Sequence, residues 1–120
     1  MSYVDSLPPM CPPSDAVDQA LTLYRLVPNN PAIPANFASY LGGGVECPSH
    51  IDPCRWASCS LVVDPAKQKR LPKFKNYKWA AHLSIPQGAG KAKKTSGNHY
   101  DFWCYSSFNM ISSVVEIVGI

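Results

Sequence analysis

Twelve of the 120 residues are proline, about twice the usual share. Inside a helix, proline removes a donor and clashes with the preceding turn. Pro8, Pro9, Pro12, Pro13, Pro28, Pro31 and Pro34 cut the early chain so finely that no long helix has room there. The fold has to be assembled from short pieces. Apolar content of 46% and charged content of 16% describe a globular chain, and its length suits a single domain with a core of its own.

Residues 1–13 read as a Pro-rich N-terminal arm and residues 14–120 as one α+β domain. Ser14 and Asp15 offer a helix cap, so a short helix is expected over 16–21. Residues 23–27 alternate and are rich in strand formers; the Pro28–Pro31 stretch closes them as a turn. Pro34 opens a second expected helix with Phe37, Tyr40 and Leu41 on one face, stopped by three glycines from Gly42. A loop follows to about residue 57, then a strand over 58–63. Asp64 and Pro65 form a cap and first-turn pair for a short basic helix that Pro72 ends. Residues 77–85 are the clearest strand. Trp79, Ala81, Leu83 and Ile85 share one face, and Lys78, Ala80, His82 and Ser84 the other. A turn over 86–90, a polar loop over 91–97, a strand over 100–105 and a last strand over 112–118 complete the reading. The expected fold is a mixed or antiparallel sheet of about four strands with two or three short helices. The last strand is expected at an edge, open to a homo-oligomer.

Charge is distributed unevenly. Residues 64–105 hold nine of the eleven Lys and Arg residues, with no acid between Asp64 and Asp101. Phe74, Tyr77, Trp79, Tyr100, Phe102, Trp103 and Tyr105 interleave this charge. A one-sided field attracts anions; the plain alternative is a solvated lysine face. The expected partner is an anionic ligand: nucleic acid, a nucleotide or an acidic protein surface. The corresponding role is a binding, modifier or inhibitor protein. No apolar run approaches the roughly 20 residues of a membrane span. The first residues lack the basic start and apolar run of a secretory signal. Five cysteines, an odd count, argue against a closed disulfide framework. Reduced thiols and a cytoplasmic location are therefore expected. The sequence leaves any cofactor unknown.

Four constellations carry candidate chemistry. Cys47, His50, Cys54 and Cys59 are zinc-type ligands within thirteen residues. Their spacing matches no standard zinc module, and free thiols are the preferred reading. His82-Leu83-Ser84 resembles the H-x-[ST] strand motif of 2H phosphoesterases, in which two such motifs work together. The only partner on offer, His99-Tyr100-Asp101, lacks the hydroxyl, so His82 reads as structural. Residues 95–103 place His99 beside an acid and two hydroxyls. There His99 is a candidate acid or base, Tyr100 and Trp103 candidate stacking surfaces, and Lys91, Lys93 and Lys94 candidate phosphate ligands. The competing reading is a surface loop tacked down by buried aromatics. Finally, Arg25 on the first strand and Glu116 on the last are similar in kind to the layout of ADP-ribosyltransferase-like folds, with Ser58 and Ser60 standing in for the central hydroxyl element. The alternative function is thus a nucleotide-processing enzyme, ADP-ribosyltransferase-like or phosphoesterase-like, using His99 with Arg25 and Glu116, and His82 is kept as a further catalytic candidate beside its structural reading. Whether the protein is an enzyme stays open. Gly88, Gly90 and Lys91 fall short of a phosphate-binding P-loop.

Over residues 23–118, the motif order is Tyr24-Arg25-Leu26-Val27, Asn30-Pro31, Phe37-x-Ser39, Cys59-Ser60-Leu61-Val62-Val63, Leu71-Pro72-Lys73-Phe74 and His99-x-x-x-Trp103. This order resembles a group of small bacterial proteins that read Y-R-L-V, N-P-P, D-F-x-S, C-G-L-S-V-F, L-P-x-F and S-H-H-T-x-W. Tyr100-Asp101 replaces His-Thr here, and Ala32 replaces the second proline. The group has no established reaction. The resemblance implies an order of motifs and draws attention to His99 and Trp103.

Overall fold

The alternation over 77–85 is realised as a strand with the faces the sequence predicts. Ala81, Leu83 and Ile85 are buried in the core, and His82 and Ser84 point the other way. The computed structural model describes residues 2–120. Its strands are β1 (Leu21–Val27), β2 (Cys59–Val62), β3 (Trp79–Ile85), β4 (Gly90–Lys94), β5 (His99–Cys104) and β6 (Val114–Gly119). They form one sheet in the order β4-β5-β2-β1-β3-β6, and every pairing is antiparallel. Two short helices, α1 (Pro53–Trp56) and α2 (Pro65–Lys69), accompany it, with single 3₁₀ turns at Pro34–Phe37, Pro72–Phe74 and Met110–Ser113. Among the described residues no helix is long and apolar enough to cross a membrane.

The sheet has six strands, not about four. β4 accounts for the clearest departure, because Lys91, Lys93 and Lys94 read as a loop. Pairing with β5 holds it instead: Ala92 sits opposite Phe102 and is buried, while the lysine stems flank it. Gly90 fits this strand because a side chain there would run into the Trp103 carbonyl and the Phe102 ring.

Proline shapes the helical pieces as expected. α1, α2 and the turns at Pro34 and Pro72 all open on proline, and none exceeds five residues. Asp52 and Asp64 cap the two helices, each carboxylate accepting the amide of the second residue at 2.9 Å. The helix expected over 16–21 does not form. Val17 pairs with Ala92 on the edge of β4, and Leu21 already faces Ile85 across β1 and β3. The helix expected from Pro34 stops after one turn.

One sheet face carries the main core. Leu23, Val27, Leu61, Leu83, Ile85 and Phe102 pack beneath Phe37 and Met110 from the 3₁₀ turns. The N-terminal arm is tied to the far end of β5: Tyr3 bridges Tyr105, and the Val4 amide donates to the Cys104 carbonyl at 2.9 Å. Further along the arm, Cys11 is disulfide-bonded to Cys54 on α1, with Cα atoms 5.5 Å apart. This corrects the expectation of thiols reduced throughout: the odd count resolves into one bridge plus free Cys47, Cys59 and Cys104. Two cysteines 43 residues apart are brought together only when α1 docks on β5, a pairing that spacing does not reveal.

Thiol titration of the denatured, unreduced chain should find three reactive thiols; five would remove the bridge. Replacing both Cys11 and Cys54 by serine should lower unfolding stability by about 4 kcal/mol on chain-entropy grounds, read from chemical denaturation.

Candidate functional site

β1 and β2 are neighbours, yet they share one register pair, Tyr24 with Val62. Beyond it they part. Arg25 fills the gap. Its Nη1 donates to the Ser60 carbonyl at 2.9 Å, Nε to the Asn36 carbonyl at 3.0 Å, and Nη2 to the Ala38 carbonyl at 3.4 Å. The guanidinium thus replaces a strand ladder, and it also explains the short turn at Pro34: the carbonyls a longer helix would use are held by Arg25.

The parted strands leave a cleft of about 300 Å³. Tyr24, Tyr40, Phe74 and Tyr77 supply aromatic walls, and Ser58, Ser60 and Gln68 supply polar groups. Arg25 and Lys73 are its cations, and no carboxylate lines it. Lys73 Nζ lies 4.4 Å from the centre of the Tyr40 ring, and that ring stacks on Trp56 at 4.3 Å. A second cavity, of about 440 Å³, lies under the arm. Its walls include Phe37, Phe102, Met110 and the thiols of Cys59 and Cys104. Burial raises both thiol pKa values, and that of Cys104 is pushed up to about 11. These thiols stay protonated at neutral pH, and the cavity holds no cation. The chemistry therefore gathers at the smaller cleft.

His99 stands at the edge of that cleft. β5 lies beside β2 with Val62 opposite His99 and Ser60 opposite Asp101. All four side chains therefore share one face, and Ser60 is diagonal to His99. His99 Nε2 is 3.0 Å from Ser60 Oγ. Nδ1 is 2.6 Å from Thr95 Oγ1 and 3.7 Å from Asp101 Oδ1. The buried Asp101 is held through its other oxygen by Arg55 Nε at 3.1 Å. Burial lowers the His99 pKa; the Asp101 carboxylate pulls it back up, and the Arg55 and Arg25 charges lower it further. The ring is neutral at neutral pH.

The other candidate residues divide. Arg25 and His99 meet at Ser60. His82 and Glu116 do not join them. Register partners run in a row from Glu116 through His82, Tyr24 and Val62 to His99, and three strand spacings separate the two histidines by about 14 Å. His82 stacks on Tyr24 at 4.7 Å. Its buried Nδ1 has no hydrogen-bond partner, and Glu116 Oε1 is 3.6 Å away. Arg25 turns toward β2, away from Glu116 on the far side of β3, so the ADP-ribosyltransferase-like layout is not assembled.

The aromatics chosen for stacking are packing residues. Trp103 is 1% exposed and donates from Nε1 to the Cys54 carbonyl at 3.0 Å. Tyr100 packs against the core beside Leu61. Lys91, Lys93 and Lys94 lie on the outermost strand, two strand spacings or about 10 Å from β2. Alternation sends Lys94 to the opposite face from the other two, and Lys93 pairs with Asp15 at 3.2 Å. The zinc candidates also separate: Cys54 is in the disulfide, Cys59 is buried in β2, and His50 is exposed. Among the described residues no three His, Cys, Asp or Glu side chains converge to hold a metal.

The sequence places Lys73 and Phe74 only within a long basic stretch and does not single them out, Tyr40 carries no ligand signal, and Ser60 appears only as a stand-in. The hydroxyl and acid beside His99 were visible signals. The partner on β2 was not, since it lies 39 residues away. Comparison of the chain with protein-family models, curated proteins and solved structures finds no match.

An NMR titration should place the His99 midpoint below its ordinary 6.5. The folded state then binds fewer protons than the unfolded chain. This contribution to stability is complete above about 6.5 and is lost as pH falls through the folded midpoint. Wild-type protein should lose more stability across that window than His99→Gln. An equal loss in both would show that His99 does not set this dependence.

Proposed function

We propose that the protein binds a small anionic ligand with an aromatic part, a nucleotide or similar phosphorylated molecule, in the cleft between β1 and β2. The observation that carries this reading is the unbalanced charge of Arg25. It is partly buried and bonded only to neutral carbonyls, and among the described residues it has no carboxylate partner. An uncompensated charge away from water is costly, and an anion offsets it. Lys73 adds a second positive charge, and the four aromatic rings offer surfaces for a base. The volume suits a small ligand held at the lower end of ordinary pocket sizes.

The basic stretch noted in the sequence supports the same reading from outside the cleft. Lys67, Lys69 and Arg70 lie on or beside α2, which adjoins β1, and Lys73 and Lys75 follow directly. Their summed field steers anions toward the mouth and weakens as salt screens it. A nucleic-acid chain or an acidic protein surface would meet this rim, whereas a single nucleotide also fills the cleft. The smaller ligand therefore accounts for more of the geometry.

Calorimetric titration at low salt with nucleoside monophosphates, ribose 5-phosphate and inorganic phosphate tests the reading. Monophosphates should bind more tightly than phosphate, since base stacking contributes about 1–3 kcal/mol. Lys73→Ala should weaken them at least ~10-fold, as loss of a charged partner of about 1.5 kcal/mol or more implies. No affinity for any of these ligands at low salt would overturn it.

A further inference from the structure

We propose that Ser60 is a nucleophile, activated by His99, and that the protein hydrolyses a carboxylic ester whose other half carries an anionic group. For that anionic half the proposal rests on the cleft reading above; for the nucleophile it stands on separate observations. Ser60 Oγ lies 3.0 Å from His99 Nε2 and lines the cleft. The opposite ring nitrogen, Nδ1, faces one acceptor, Thr95 Oγ1 at 2.6 Å, with the Asp101 carboxylate as a charged neighbour at 3.7 Å. A ring whose Nδ1–H is held in this way presents a lone pair from Nε2 to the serine hydroxyl. Asp101 is fixed in turn by Arg55. The order is nucleophile, base and orienting groups, which recurs on unrelated folds and is recognised by geometry rather than chain position.

The neutral state of the ring fits the role of base. It is 20% exposed and beside the cleft, so it can take a proton without being open to bulk water on every side. Arg25 is held on the Ser60 main-chain carbonyl through Nη1 and lines the same cleft, where its charge favours a substrate that carries a negative group.

The reaction balances with water alone. Ser60 Oγ adds to the ester carbonyl carbon while its proton passes to His99 Nε2. The carbon–oxygen bond to the leaving alcohol breaks, and that alcohol takes the proton from Nε2. Water then adds to the acyl-serine, giving a proton to Nε2. Collapse releases a carboxylic acid and returns the proton to Ser60 Oγ. Thr95 and Asp101 act through His99 as positioning residues and do not touch the substrate.

Diisopropyl fluorophosphate, an uncharged serine-directed probe, tests this. Serine displaces fluoride from phosphorus, and the adduct is located by fragmenting the tryptic peptide of residues 56–67, which separates Ser60 from Ser58. One adduct is expected, on Ser60, absent in Ser60→Ala. His99→Gln should slow its formation at least ~100-fold, the ordinary scale of general-base assistance. Thr95 is exposed in the turn before β5, so Thr95→Val tests the ring's orientation without burdening the core. It should slow labelling, and Thr95→Ser should restore it. Folded wild-type protein that gives no Ser60 adduct, or an adduct whose rate is unchanged in both His99→Gln and Thr95→Val, overturns the proposal. Because the probe carries no charge, failed nucleotide titration with intact labelling would sink only the anion reading. Failed labelling with intact nucleotide binding would sink only the nucleophile.

Discussion

The arrangement depends on one guanidinium in a gap. β1 and β2 would be an ordinary antiparallel pair if their ladder continued past Tyr24 and Val62. Arg25 takes the Ser60 carbonyl instead, together with those of Asn36 and Ala38. Hydrogen bonds from a charged donor contribute about 1.5–3 kcal/mol each, and buried carbonyls left without donors cost a comparable amount. Two part-buried bonds of this kind, to Ser60 and Asn36, and a longer exposed one to Ala38 hold β1, β2 and the segment after Pro34 together. The cleft is the space the parted strands leave. Ser60 lines it.

The sheet divides its two faces by chemistry. Leu23, Val27, Leu61, Leu83 and Phe102 pack on one side with the 3₁₀ turns above them. The other side carries the row from Glu116 to His99, and beside it Ser60 and Asp101. Register places these polar groups on one face, since strand side chains alternate. It does not by itself bring them into contact. Strand order puts the β3 and β6 pair at one edge of the sheet, while His99 on β5 sits between β2 and β4 near the cleft. The disulfide to the arm holds α1 over β5, so Arg55 can reach Asp101 and Trp103 is sealed from solvent.

The expected ligand-facing group of Lys91, Lys93, Lys94, Tyr100 and Trp103 rests on charge, aromatic surface and a histidine coinciding in the sequence. Pairing of β4 with β5 turns the 91–94 stretch into the first strand of a hairpin; Trp103 is buried, Tyr100 partly so, and the lysines go to both faces. The aromatic and basic character of the cleft comes from Lys73, Phe74 and Tyr77, in the stretch whose two readings are a solvated or a polyanion-facing surface, and from Tyr24 and Tyr40.

Local chemistry was decided by the sequence alone. Proline opened four of the five helical pieces, Asp64 and Pro65 opened α2 where expected, and alternation set the faces of β3. These features depend on neighbours within a few residues, so the chain states them directly. His99 and Arg25 were likewise legible as candidates, by type and by surroundings. Their meeting point was not. Ser60 is 35 residues from Arg25 and 39 from His99, and Cys54 is 43 from Cys11. Those contacts follow from strand order and from where two strands stop pairing. Both are set by packing of the whole sheet, which no short stretch of sequence encodes.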